Sequence, residues 1–262
     1  RCAPAAWVCG GRFPCRQSWM LSLPLPRASY RHGKAAASPN SPSRQMFPNP
    51  EKLGIKVCGI TQAHQAREII DAGADAIGVN FWPKSKRYLP PDVGAQWLPA
   101  LKSDITIVAV LVNPDTELLR QITDTDLVHA LQFHGDESPE EIATWMDSGF
   151  QVIKALQIRD ASSLDQISTY PCADILLDAY NPGLYGGEGK VFPWDLARQA
   201  KERFPAKRVW LSGGLTPENV GTAVHQVQPA AIDVASGVEA SPGIKDMEKV
   251  RRFIAEARRA AL

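Results

Sequence analysis

The sequence predicts an α/β chain folded as a (β/α)8 barrel, eight parallel strands each followed by a helix, behind a disordered amino-terminal extension. Three observations carry this expectation. From Ile55 onward short apolar runs alternate with amphipathic segments, the pattern of consecutive parallel strand and helix units. The runs are rich in Val, Ile and Leu with little polar alternation, as strands covered on both faces require. They number eight over roughly 200 residues, close to the length of about 250 usual for such a barrel. An open doubly wound sheet is the competing architecture, but it gives no reason for eight regular units. It also needs a dinucleotide-binding glycine fingerprint that does not follow the first run.

In chain order the predicted strands are Ile55 to Cys58, Ala76 to Phe81, Thr106 to Val112, Leu127 to Phe133, Gln151 to Leu156, Ile175 to Asp178, Val209 to Leu211 and Ala231 to Val234. The helices between them announce their starts. Ser138-Pro139-Glu140-Glu141 reads as a capping box with Pro in the first turn, and Thr216-Pro217-Glu218 opens a helix in the same style. In the last helix Met247, Val250, Ile254, Ala257 and Ala261 recur at spacings of three and four, an inward stripe that leaves Lys249, Arg252 and Arg259 to water. Trp145 and Met146 read as core.

Residues 1–50 form a different region. All seven charged residues ahead of Glu51 are basic, and the region is rich in Pro, Ser and Ala without apolar periodicity, so it cannot bury enough surface to order itself. A transit peptide, sequence upstream of a true start at Met46, and a binding arm are its three explanations; an opening residue of Arg1 favours the second. The barrel domain is expected over 51–262. Removing the seven basic residues from the 29 leaves 22 against 28 acidic ones, so the body carries −6 and lacks the basic field that nucleic acid requires. No apolar stretch reaches the roughly 18 residues of a membrane span. Cys2, Cys9 and Cys15 match no zinc spacing, and only Cys58 and Cys172 lie in the body. No disulfide framework follows, which points to a reducing cytoplasm or organelle matrix.

In such a barrel the chemistry lies at the carboxyl ends of the strands. That rule gathers Cys58, Arg87, His134, Asp136, Lys154 and Asp178 around one mouth. Cys58 falls where a strand gives way to a helix, whose free N–H groups lower a thiol's pKa; a small buried hydrophobe is the plainer alternative. Asp178 leaves the apolar Ile175-Leu176-Leu177 towards a segment with Gly183, Gly186, Gly187 and Gly189, which suits a lid. A carboxyl in that position is a candidate for a raised pKa and for general acid work, against capping or ion pairing as alternatives. Ser212-Gly213-Gly214 after the seventh run and Ser236-Gly237 after the eighth offer backbone N–H groups to an anion, where tight turns are the plain reading of a single pair. Arg87, in a basic loop with Lys84 and Lys86, suits a bidentate carboxylate. His134 has no partner at metal spacing, so no metal is expected.

Five motifs in this order and spacing resemble phosphoribosylanthranilate isomerase of tryptophan biosynthesis. They are Lys56-Val57-Cys58-Gly59-Ile60-Thr61, Leu131-Gln132-Phe133-His134-Gly135-Asp136-Glu137, Leu177-Asp178 with Gly186-Gly187-Glu188-Gly189-Lys190, Leu211-Ser212-Gly213-Gly214-Leu215, and Ser236-Gly237-Val238-Glu239. The resemblance runs from about Gly54 to Arg258. It implies an Amadori rearrangement on a TIM barrel without metal or cofactor, acting as monomer or homodimer on a small phosphosugar, with neither nucleic acid nor membrane as partner. It also implies roles: Asp178 as general acid, Cys58 as general base, Arg87 on the anthranilate carboxylate, His134 beside substrate, and Gly213, Gly214, Ser236 and Gly237 on phosphate. The family usually has Ser-Pro-Arg where this chain reads Ser85-Lys86-Arg87. A histidine-pathway sugar isomerase, an epimerase, indole-glycerol phosphate synthase and a non-catalytic phosphate-binding barrel are the alternatives; the first three lack this Cys and Asp pair, and the last needs neither residue. A chain beginning at Met46 is expected to fold and to turn over substrate, as circular dichroism and a fluorescence assay of phosphoribosylanthranilate will report.

Overall fold

The computed structural model describes residues 47–179 and 192–262. The expectations for the extension up to residue 46, and for the glycine-rich segment at Gly183 to Gly189, fall outside the described residues. Eight parallel strands close into a barrel in chain order: β1 (Gly54–Cys58), β2 (Ala76–Asn80), β3 (Thr106–Leu111), β4 (Ala130–Phe133), β5 (Gln151–Ile158), β6 (Asp174–Ala179), β7 (Arg208–Leu211) and β8 (Ala231–Val234). Each overlaps its predicted run. The ring shuts where β1 pairs with β8, Lys56 opposite Asp233 and Val57 opposite Val234.

Side chains alternate between the two surfaces of each strand, and the apolar residues sort accordingly. Outward residues such as Ile55, Val57, Ile77, Val79, Leu131 and Ile175 join the inner faces of the helices in one large cluster. Inward residues form a second, smaller cluster on the barrel floor: Ala76, Val108, Ala130, Ile153, Ala155, Leu176, Trp210 and Ala231, closed from below by Phe47. Alanine is the commonest residue among them, and Trp210 is the largest. Burying that indole removes roughly 200 Å² from water, about 5 kcal/mol at 25 cal/mol per Å². Phe47 meets it edge to face, ring centroids 5.0 Å apart, and accepts a hydrogen bond from Gln151 through its carbonyl. The barrel unit therefore takes in Phe47, ahead of the boundary at residue 51.

The helical layer comprises α1 (Ala63–Asp71), a short α2 (Pro91–Gly94) with a 3-10 turn at Leu98–Leu101, α3 (Thr116–Asp124), α4 (Pro139–Met146), α5 (Trp194–Arg203), α6 (Val220–Val227) and α7 (Met247–Ala260). The capping box at Ser138 forms as predicted, with Glu141 N–H donating to Ser138 Oγ at 3.2 Å and Ser138 N–H to Glu141 Oε2 at 2.7 Å. Thr216-Pro217-Glu218 instead makes a turn, and α6 begins at Val220. There the Asn219 side chain accepts from Thr216 N–H at 2.8 Å and donates to Gly214 carbonyl at 2.9 Å, tying the helix start to the loop after β7. Between β5 and β6 the connector is a 3-10 helix, Ala161–Thr169, where Ser168 and Thr169 hydroxyls bond carbonyls three residues back and compete with α-helical bonds.

In α7 the buried stripe is Val250, Phe253, Ile254 and Ala257, with Met247 half-buried and Ala261 exposed as the C-cap. Met146, expected in the core, is 41% exposed because α4 stops at that residue and its side chain has no further turn to pack under. Two strands were not anticipated: β9 (Glu239–Ser241) and β10 (Ile244–Lys245) form an antiparallel hairpin between β8 and α7. No helix among the described residues is long and apolar enough to cross a membrane. Replacing Phe47 by Ala is expected to lower stability by about 3 kcal/mol through loss of the floor contact, seen as a lower urea midpoint at an unchanged denaturant slope.

Candidate active site

Cys58 closes β1 with its side chain on the inward face, two residues above Lys56. Lys56 is wholly buried, and its Nζ bonds Asp233 Oδ1 at 2.8 Å across the seam with β8. Inside a barrel such a charge persists only when paired. Burial acts to lower the Lys56 pKa, yet Asp233 outweighs burial, helped by Cys58 wherever its sulfur is ionised, and holds the ammonium above its usual value. Gly78 faces both groups; a Cβ there would lie 2.7 Å from Cys58 Sγ and 3.0 Å from Lys56 Nζ.

The thiol itself departs from the expectation of a helix-lowered pKa. α1 begins at Ala63, with four residues between it and Cys58. Burial pushes the Cys58 thiol up, Asp233 adds to that, and the positive charges of Lys56 and Lys245 only partly offset it. The resting side chain at neutral pH is therefore the protonated thiol.

Gly59 follows at φ +79°, a conformation that glycine adopts without strain, and its missing side chain leaves the space through which Arg87 passes. A Cβ on Gly59 would lie 2.3 Å from Arg87 Cδ. Arg87 thus reaches the mouth beside Cys58 from the loop after β2. Its Nε and Nη2 each donate to Glu239, at 2.7 Å in both bonds.

On the other side of the ring, Asp178 is buried near the end of β6. Its Oδ1 accepts from Ala179 N–H at 2.9 Å, and its Oδ2 lies 3.3 Å from His134 Nε2, close but poorly aligned for a hydrogen bond. His134 Nδ1 in turn lies 3.3 Å from Gln132 Nε2. Asp178 and His134 therefore share the inner surface. Lys154 does not: it turns outward and donates to Gly135 carbonyl at 2.6 Å and Glu137 Oε2 at 2.9 Å, bracing the loop that carries His134. Asp136 is exposed and gives that loop its N–H bond to Asn113 Oδ1 at 2.8 Å.

The loops after β7 and β8 touch. A Cβ at Gly237 would fall 1.9 Å from Leu215 carbonyl oxygen, so only glycine lets the two backbones approach this far. The N–H groups of Gly214 and Gly237 donate to no other described residue. Both glycines, with Ser236, Lys86, Arg87 and Glu239, line a cavity of about 540 Å³. Lys86, which sequence alone assigns to solvent, therefore adds positive charge beside the loops after β7 and β8. Among the described residues no group of three or more His, Cys, Asp or Glu is placed to hold a metal ion.

Lys56, Asp233, Glu239 and Lys245 were given no role from sequence, Lys56 and Glu239 being quoted only as motif residues. The first two carried a readable signal, a charge in the middle of an apolar strand, which must find a partner inside. The other two did not, because their pairing depends on the hairpin of β9 and β10.

Residues 55–256 match the family model described as N-(5'phosphoribosyl)anthranilate (PRA) isomerase. The chain belongs to this family. It is 41% identical over 208 residues to the N-(5'-phosphoribosyl)anthranilate isomerase of Trichlorobacter lovleyi, covering 79% of this chain and 99% of that one. With the Citrifermentans bemidjiense enzyme it shares 43% over 208 residues, 79% and 98% of the two chains. The crystal structure of phosphoribosyl anthranilate isomerase from Thermotoga maritima superposes with a TM-score of 0.71 at 36% identity, covering 79% of this chain and 98% of that one. A further family structure, at TM-score 0.69, 34% identity and the same two coverages, is a complex with reduced 1-(o-carboxyphenylamino)-1-deoxyribulose 5-phosphate. Family membership separates this chain from the other phosphosugar barrels and from a non-catalytic barrel. A thiol whose pKa is raised by burial is expected to alkylate at Cys58 with a rate that keeps rising above the pH where free cysteine levels off. Peptide mapping after iodoacetamide treatment across pH 7 to 10 measures this, and Lys56→Met is expected to move the profile further towards alkaline pH.

Proposed function

We propose that Cys58 and Asp178 are the base and acid with which this chain carries out its reaction, the isomerisation of N-(5-phosphoribosyl)anthranilate to 1-(2-carboxyphenylamino)-1-deoxyribulose 5-phosphate in tryptophan biosynthesis. The observation that carries the assignment is topological. β1 and β6 are three steps apart in the ring, and β7 and β8, whose loops offer free N–H groups to an anion, fill the interval. A phosphate seated on Gly214, Ser236 and Gly237 places a ribose over the mouth between a thiol and a carboxyl. Backbone N–H groups suit this anchoring because they hold the phosphate without changing protonation themselves.

Asp178 gives its proton to the ribose ring oxygen as the C1′–O bond breaks, and the nitrogen lone pair forms a protonated imine. His134, against Oδ2, keeps the carboxyl on the inner face. Cys58 then ionises, its thiol proton passing to solvent water, and the thiolate takes the C2′ proton; the C–H electron pair becomes the C1′–C2′ double bond as the iminium pair returns to nitrogen, and the resulting enolamine tautomerises to the ketone as C1′ gains a proton and the 2′-hydroxyl loses one. A thiol held up by burial is a strong base once it ionises. The cationic imine provides the positive charge that favours ionisation only after the ring has opened, which orders the two proton transfers. Lys56, fixed by Asp233, stabilises the thiolate from below.

Arg87 grips the ring carboxylate of the anthranilate moiety, and Lys86 adds charge at the phosphate end. Every group named comes from one chain, so the reading holds alike for a monomer and a homodimer. Cys58→Ala and Asp178→Asn are each expected to lower kcat by about 10² to 10⁴ with the circular dichroism spectrum unchanged. The loss is read by the decay of substrate fluorescence; near-normal turnover in either variant sinks the assignment.

A further inference from the structure

We propose that Glu239 is a positioning residue for substrate recognition: it holds the guanidinium of Arg87 by one edge and so presents the other edge to the ring carboxylate. The inference rests on the reading that Arg87 meets this carboxylate, and it assigns a role to a residue outside the catalytic pair.

A guanidinium carries five N–H donors in a rigid plane. Glu239 takes two of them, one from Nε and one from Nη2, each at 2.7 Å. Of the remaining three, one on Nη1 and the outer one on Nη2 point in parallel from the end edge, and the third, on Nη1, points back beside Cδ. That edge matches a second carboxylate in a paired arrangement, so Arg87 can hold Glu239 and substrate at once. With Gly59 making room for its stem, the arginine has one supported orientation rather than a set of free rotamers.

Glu239 is itself fixed before any substrate arrives. Its Oε1 accepts from Lys245 Nζ at 2.9 Å and from Gly243 N–H at 3.1 Å. Burial pushes the Glu239 carboxyl up, but Arg87 and Lys245 outweigh burial and keep it below the ordinary carboxylate value. Lys245 also donates to Ala235 carbonyl at 3.1 Å, at the edge of the phosphate loop. The hairpin carrying both residues is pinned to α1 through Gln65, whose side chain makes two bonds of 3.1 Å with the Lys245 backbone, and to the loop after β1 through Thr61 Oγ1, which donates to Gly243 carbonyl at 2.9 Å. The hairpin thus supplies a rigid back wall for the arginine.

The test compares two substrates, N-(5-phosphoribosyl)anthranilate and its analogue without the ring carboxylate, N-(5-phosphoribosyl)aniline, made by condensing ribose 5-phosphate with aniline. In the full-length enzyme Glu239→Gln is expected to raise KM about tenfold for the carboxylated substrate with kcat within about threefold, and to lower the aniline substrate's kcat/KM by no more than about threefold. Glu239→Asp keeps a charge for Lys245 but withdraws it from Arg87, so it is expected to give the same pattern should the glutamine variant not fold. Equal losses on both substrates overturn the proposal, since they mean a general scaffold role. An unchanged or lowered KM for the carboxylated substrate also overturns it, because Glu239 is then idle or competes with substrate. Arg87→Met separates the two levels: if it shows no carboxylate-selective loss, the reading of Arg87 falls and this proposal with it. If Arg87→Met shows that loss and Glu239→Gln does not, the role of Glu239 alone is wrong.

Discussion

Closure of the barrel at the seam between β1 and β8 is the constraint on which the site depends, and a buried ion pair stands on that seam. Lys56 and Asp233 face each other in register, both withdrawn from water and joined at 2.8 Å. Leaving either charge unpaired there costs about 3 to 5 kcal/mol, whereas an apolar pair of the same volume would be nearly neutral. Stability therefore does not explain the pair. Its position does: the ammonium lies one inward step below the thiol, so the bond that ties the first strand to the last also sets the electrostatic surroundings of Cys58.

From this seam the mouth is organised by contacts between loops rather than by any one loop. Gly59 lets Arg87 through, Glu239 receives it, and Lys245 links Glu239 to the carbonyl of Ala235. Gly237 abuts the Leu215 carbonyl and joins the loops after β7 and β8. The loops after β1, β2 and β8 are connected through side chains, while those after β7 and β8 are connected through backbone. The end proposed for carboxylate and the end proposed for phosphate thus share the hairpin after β8 as a common support.

The strands were legible because doubly covered strands leave a local record, an unbroken apolar run, and all eight runs coincide with strands. The sorting of site residues was also legible, since Cys58, Arg87, His134 and Asp178 stand at the strand ends as the barrel rule requires. What escaped was non-local. Lys154 reads as a mouth residue, but a one-residue phase difference from Ile153 and Ala155 turns it outward to Glu137. The thiol was expected to feel a helix terminus, yet four residues intervene and burial dominates. Glu239 and Lys245 gain meaning only when a two-strand hairpin brings them against Arg87, and so short a hairpin leaves almost no periodic signal.

Phe47 sits under Trp210 at the amino-terminal end of the strands, whereas Cys58 and Asp178 stand at the carboxyl end. The whole thickness of the barrel separates Phe47 from Cys58 and Asp178. An affinity tag or carrier domain joined just ahead of Phe47 is consequently attached at the face remote from the substrate. Polypeptide can be exchanged at that junction without steric conflict at the mouth, so long as the aromatic ring that seals the floor is retained.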